Sequence, residues 1–185
     1  SFKNPILHPH DGHMAEVSSN LFKYTDEDFC GVVFRPATVC GYAPHCRLDL
    51  SVNILTNHAV NNKKIIVLGG GEQKRPNLHV GDMCRSYEML INRDLQDVNG
   101  EIFNVSYENK KIIELAEIVA KNVKEFFNYD NIEIEVKKDT VDNRSYHVNS
   151  DKIKKVLGFE PKYNIDDAVT SLCKAFKDGK LPNSM

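Results

Sequence analysis

No run of this chain is apolar for long enough to cross a bilayer, and no signal-peptide hydrophobic region opens it. A membrane-embedded protein is therefore not expected. No charge sign dominates. Twenty-four Lys and Arg stand against 26 Asp and Glu, a net charge of −2, which excludes nucleic acid or an anionic membrane as the main partner. No Cys-x-x-Cys pair occurs. The five cysteines, Cys30, Cys40, Cys46, Cys84 and Cys173, are odd in number and scattered, so neither a disulfide framework nor a zinc site is expected, and a reducing cytoplasm is. His8, His10 and His13 cluster, but in a Pro/Gly-containing stretch with only Asp11 beside them. That pattern fits a mobile loop or tag remnant better than a metal site, and no metal is expected. Low-complexity segments and internal repeats are missing, and the linkers are short, which excludes a flexible hinge between independent domains.

What is present is an ordinary globular composition, 41% hydrophobic and 27% charged over 185 residues, enough for one domain or a domain and a half. Val17, Leu21 and Tyr24 stand at helical spacing in 14–24. Val32, Val33 and Phe34 form a short apolar run suited to a strand buried on both faces, ending at Arg35 because Pro36 follows. The spacing predicts a helix over 47–61, with Val52, Leu55 and Ala59 on one face. Strands follow at 65–68 and 77–80, and Asp82 is a candidate cap for a helix carrying Tyr87, Leu90 and Ile91. Further strands are expected at 102–105 and 132–137. Helices are expected at 111–126, from 151 to Gly158 with Ser150 as cap, and from Ile165 to near Gly179. Strands alternating with helices make the chain α/β.

The most informative stretch is Gly69-Gly70-Gly71-Glu72-Gln73-Lys74-Arg75-Pro76-Asn77-Leu78-His79-Val80-Gly81-Asp82. A dinucleotide cradle needs its glycines to open a helix directly, so that helix N-terminal amides meet the pyrophosphate. Here Arg75, Pro76 and a second extended run intervene. The turn is read as one that delivers a guanidinium.

Four blocks in order carry a resemblance. They are Phe34-Arg35-Pro36-Ala37-Thr38-Val39-Cys40-Gly41, the loop 69–82, Gly100-Glu101-Ile102-Phe103-Asn104-Val105, and Asp142-Asn143-Arg144-Ser145-Tyr146-His147-Val148, which runs on to Leu157-Gly158-Phe159-Glu160-Pro161. From Phe34 to Asn183 the chain resembles the C-terminal half of the extended short-chain dehydrogenase/reductase family, the NAD-dependent nucleotide-sugar epimerases and dehydratases. The resemblance implies the remnant of a doubly wound Rossmann-like sheet plus the smaller C-terminal substrate-binding lobe. Residues 1–45 would belong to the dinucleotide-binding domain, and 46–185 mainly to the substrate-binding lobe, with segments returning to the first domain.

The resemblance implies that Arg75 and Arg144 meet the diphosphate of a nucleotide sugar from two sides and that Asn53 hydrogen-bonds its phosphate or sugar. Competing readings are a surface arginine for Arg75, an Arg–Asp surface pair for Arg144 and a polar residue on an exposed helix face for Asn53. Arg47 could reach the substrate or simply pair with Asp49. His79 and Asp82 match the family's His-Val-x-Asp and are read as brace and cap. Thr38 and Pro36 follow the strand whose end faces the ligand crevice.

The family's glycine fingerprint is missing, and so is its Tyr-x-x-x-Lys pair from its place shortly before the Arg-Pro strand. His10 and Met14 occupy the places of the tyrosine and lysine, and a methionine lowers no pKa. Gly12-His13-Met14 also has the look of a cloning junction, with 1–13 foreign to the fold. Either way no catalytic residue is assigned. NAD belongs to the complete family enzyme and is not expected to be held stably here. The expected function is the nucleotide-sugar-binding half of an epimerase or dehydratase. The alternatives are a binding or assembly module joined through an open sheet edge and, last, an enzyme using His10. A homo-oligomer, or a chain supplying the missing half, is the expected protein partner.

Overall fold

The computed structural model describes residues 16, 18–26, 28–138 and 145–181. His8, His10, His13, Met14, Val17 and Arg144 lie outside them. Seven short strands alternate with five helices: β1 (Val33–Pro36), β2 (Thr38–Cys40), α1 (Ser51–Asn62), β3 (Lys64–Leu68), β4 (Lys74–His79), α2 (Val80–Ile91), β5 (Ile102–Val105), β6 (Glu108–Lys111), α3 (Ile112–Phe127), β7 (Glu133–Lys137), α4 (Asp151–Leu157) and α5 (Ile165–Lys177). A helical turn over 18–22 precedes them. The α/β class and its Rossmann-like parallel pairings follow the reading of the sequence.

Three small sheets result. β1 pairs with β5 and β3 with β7, both parallel, while β4 lies between parallel β2 and antiparallel β6. The apolar periodicity explains two cores. Val52, Leu55 and Ala59 of α1, Leu115, Val119 and Val123 of α3 and Val169 and Cys173 of α5 close over Ile65 and Val67 of β3. Phe103 and Val105 of β5, Ile153 and Leu157 of α4, Leu78, Met83 and Phe159 form the second. Each fully buried Leu or Phe removes apolar surface worth ~1.5–3 kcal/mol from water. Asn164 sets the start of α5, accepting from Asp167 N at 2.9 Å while Asp167 Oδ2 accepts from Asn164 N at 2.9 Å.

Several expectations change. β1 is not buried on both faces: Val33 and Phe34 are half-buried, and Arg35 and Pro36 are exposed, because only β5 pairs with it among the described residues. The strand also runs through Pro36. Val33 N and Ala37 N donate to Glu101 O and Val105 O, and alternation turns position 36 toward the open edge, where proline's missing N–H costs no ladder bond. α1 begins at Ser51 rather than 47, since Arg47 and Asp49 pair with each other at 2.7 Å within the preceding loop. β4 begins at Lys74, before the predicted 77. β6 was not expected at all. Its Glu-Asn-Lys-Lys sequence has no apolar alternation, and pairing with β4 makes it a strand.

Candidate functional site

The glycine turn is built from three residues of positive φ, Gly69 at 66°, Gly70 at 78° and Gly71 at 80°. At Gly71 a Cβ would sit 2.9 Å from Val67 Cγ1 and 3.0 Å from Ile113 Cβ, so both conformation and space require glycine. The turn passes into β4, and a helix begins only at Val80. Among the described residues no other glycine turn opens a helix either. Helix N-terminal amides of the kind that meet a dinucleotide pyrophosphate are not supplied by this turn.

What the turn does deliver is Arg75, partly exposed on β4. Its Nη1 donates to Lys74 O at 3.0 Å, and its guanidinium lies 5.5 Å from the centre of the Tyr146 ring. A cation beside an aromatic face is attracted by the ring, and the planar guanidinium fork matches phosphate oxygens in geometry. The irregular segment 145–149 is stitched across three elements. Lys74 N donates to Ser145 Oγ at 3.0 Å, Val148 N to Asn109 Oδ1 at 2.9 Å, and Asn104 Nδ2 to Asn149 O at 3.4 Å. Arg144 itself lies outside the described residues.

Asn53 is buried, at 3% exposure, which removes the exposed-face reading. Its Oδ1 accepts from Gly41 N at 3.1 Å, and its Nδ2 donates to Arg47 O at 2.8 Å. It therefore pins both ends of the loop leaving β2. That loop walls a cavity of about 170 Å³ lined by Val39, Gly41, His45, Cys46, Arg47 and Asn53, among others. Arg47 spends its guanidinium on Asp49. Burial raises the Cys46 thiol pKa, and raises that of Cys40 to about 12, so neither thiol is an ionised nucleophile at neutral pH.

Asn77 was missed by the sequence reading. It is 1% exposed, accepts from Ser51 Oγ at 2.9 Å and donates to Arg75 O at 2.9 Å, tying the start of α1 to the arginine strand. Its polarity between Pro76 and Leu78, on a strand whose neighbours are buried, was the available signal.

His79 and Asp82 exchange their expected jobs. His79 is the cap of α2, its Nδ1 accepting from Gly81 N at 3.0 Å, and burial pushes its pKa down despite Asp82 and Asp167. Asp82 is fully buried. Its carboxylate accepts from Lys162 N at 3.0 Å, Tyr163 N at 2.9 Å and Arg85 Nη1 at 2.6 Å, so it latches the 162–163 segment onto α2. His79 stacks on Tyr163 at 4.7 Å in the same latch. Ser150 occupies the cap position of α4, but its hydroxyl makes no cap bond.

Comparison with known proteins decides the lineage. A family model described as GDP-mannose 4,6 dehydratase matches residues 45–172, well over half of the chain. The chain belongs to the GDP-mannose 4,6-dehydratase family. The family lies within the extended short-chain dehydrogenases/reductases, as its similar structures do. A dTDP-glucose 4,6-dehydratase of Streptomyces niveus is 24% identical over 140 residues, covering 75% of this chain and 40% of its own length. Among solved structures, the dTDP-glucose 4,6-dehydratase of Bacillus anthracis in complex with NAD superposes with a TM-score of 0.71 at 21% identity, covering 94% of this chain and 53% of that one. The UDP-glucose 4-epimerase of Thermotoga maritima with UDP-glucose gives 0.74 at 22%, covering 95% and 55%. RMD from Pseudomonas aeruginosa, complexed with NADPH, gives 0.75 at 18%, covering 96% and 59%. The chain spans about half the length of the relatives it matches. Of these structures, the Bacillus anthracis one is a complex with NAD and the Pseudomonas aeruginosa one a complex with NADPH. Among the described residues no helix is long and apolar enough to cross a membrane.

Proposed function

We propose that this chain is the nucleotide-sugar-binding portion of an NAD-dependent epimerase/dehydratase, and that by itself it is not catalytically complete. Arg75 binds the substrate diphosphate, with Arg144 as the second cation and Asn53 as a substrate-side residue that also fixes the 41–47 loop. The observation that carries this reading is the placement of Arg75. A three-glycine turn precedes its strand, the Tyr146 ring centre lies 5.5 Å from its guanidinium, and Asn77 ties the strand to the helix bearing Asn53. Incompleteness is supported by the lack, among the described residues, of a glycine turn that opens a helix, and by His10 and Met14 standing where the family's Tyr-x-x-x-Lys is expected, shortly before Arg35-Pro36; the Tyr107-x-x-x-Lys111 spacing lies far beyond that place. The division at residue 45 is supported by the two separate cores, with β5 and α4 returning to the side of β1.

The test is Arg75→Ala. Loss of one charge-assisted contact, ~1.5–3 kcal/mol, weakens nucleotide-sugar binding roughly tenfold to a hundredfold in calorimetric titration. Arg75→Lys restores only part of it, because the ammonium lacks the bidentate fork. Equal affinity in wild type and Arg75→Ala contradicts the assignment.

A second reading, a non-catalytic assembly module, is favoured by one observation: β1 is paired on a single edge among the described residues. An unpaired edge is a template for another strand. Light scattering then gives a mass above the 21.0 kDa of one chain. A monomer at every concentration rejects it.

A further inference from the structure

β4 and β6 run antiparallel and set Arg75 directly opposite Lys110. Directly opposed residues share one face of such a pair, with Cβ atoms about 4.5–5.5 Å apart, so a guanidinium and an ammonium project side by side. Alternation along β4 puts Asn77 on the same face as Arg75, and Asn77 reaches Ser51 at the start of the helix bearing Asn53. Lys110 therefore projects on the face of the proposed diphosphate site. Like charges directly opposite each other destabilise an antiparallel pair. An oxyanion between the two cations relieves that repulsion.

The neighbouring rung differs. Lys74 stands opposite Lys111, again two cations, but Lys111 Nζ is held by Glu72 at 2.7 Å. At Lys110 the nearby carboxylate is Glu108, and its Oε2 already accepts from Ile165 N at 2.7 Å, which fixes it at the start of α5. Its Oε1 lies 3.5 Å from Lys110 Nζ. That is near enough to steer the ammonium but longer than the about 2.7–3.2 Å of a good N–H···O bond, so the ammonium keeps donors for a ligand. The Lys110 side chain is 34% exposed, which lets a ligand reach it. A guanidinium offers a planar fork and an ammonium a compact charge, so together they match different oxygens of one phosphate group. We propose that Lys110 is a further substrate-binding residue, its ammonium and the Arg75 guanidinium closing on the same phosphate group. This rests on the reading of Arg75 as the diphosphate contact, and adds a residue that belongs to none of the four sequence blocks.

The experiment is calorimetric titration of the 185-residue chain with inorganic pyrophosphate and with UDP-, GDP-, CDP- and dTDP-glucose, alongside unfolding midpoints measured without ligand. Lys110→Gln is expected to weaken pyrophosphate and the bound nucleotide sugar roughly tenfold, the loss of one charge-assisted contact. Lys110→Arg, which keeps the charge, restores most of it. Lys111→Gln, on the neighbouring rung, leaves binding unchanged. Without ligand, Lys110→Gln unfolds at or above the wild-type midpoint, because it removes the opposition to Arg75 while the partly exposed contact with Glu108 is worth little. Weaker binding together with a lowered midpoint marks a structural role and overturns the proposal. Equal weakening by Lys111→Gln reduces both lysines to a diffuse positive field and overturns it too. Unchanged binding in Lys110→Gln overturns the role of Lys110, and the reading of Arg75 survives it if Arg75→Ala still weakens binding. A wild type silent toward every probe overturns both.

Discussion

At the residue scale the fold depends on a few buried polar groups placed where nothing can replace them. Asp82 is the clearest case, since its carboxylate satisfies two backbone amides and a guanidinium with no exposure to water. Asp82→Ala leaves those donors without an acceptor and costs about 3–5 kcal/mol in urea unfolding, whereas Asp82→Asn, which keeps one acceptor, costs less. His79 makes stability depend on pH. Its neutral ring accepts from Gly81 N, and burial depresses its pKa, so the unfolded chain takes up the proton first as pH falls. Its contribution is complete above the ordinary value of about 6.5 and is lost as pH drops from there toward the lowered folded value. The difference between wild type and His79→Asn, which keeps a cap acceptor, isolates this slope. A difference independent of pH between 7 and 5 contradicts the assignment.

At the element scale the glycine turn orders the candidate site. Gly71→Ala forces a Cβ into Val67 and Ile113 at positive φ, a cost of about 1–3 kcal/mol, and shifts the start of β4, so nucleotide-sugar binding falls together with stability. The same variant with wild-type stability and binding would mean that the turn is not constrained. The periodicity of α1, α3 and α5 was legible because each lays one apolar stripe on β3. The arginine turn was legible because glycines followed by Arg-Pro cannot open a helix. β6 was not legible, because Glu108, Asn109, Lys110 and Lys111 become a strand only through a partner far back along the chain at Lys74–Asn77. The true jobs of His79 and Asp82 were hidden for the same reason: the groups that use Asp82 lie at Lys162 and Tyr163, far along the chain. Asn53 read as ambiguous because one helical position cannot reveal that a loop folds over it.

At the scale of the whole molecule, two small cores meet along β4, whose Leu78 faces one of them while its edges carry β2 and β6. Arg75, Asn77 and the irregular segment 145–149 all lie along this seam, which puts the proposed diphosphate site where elements from both cores converge. The most direct test is calorimetric titration of the 185-residue chain with UDP-, GDP-, CDP- and dTDP-sugars, with NAD in a parallel cell. The account predicts heat from one nucleotide sugar, its binding weakened roughly tenfold to a hundredfold by Arg75→Ala, and none from NAD. Silence toward every nucleotide sugar, or binding of NAD in their place, would contradict it.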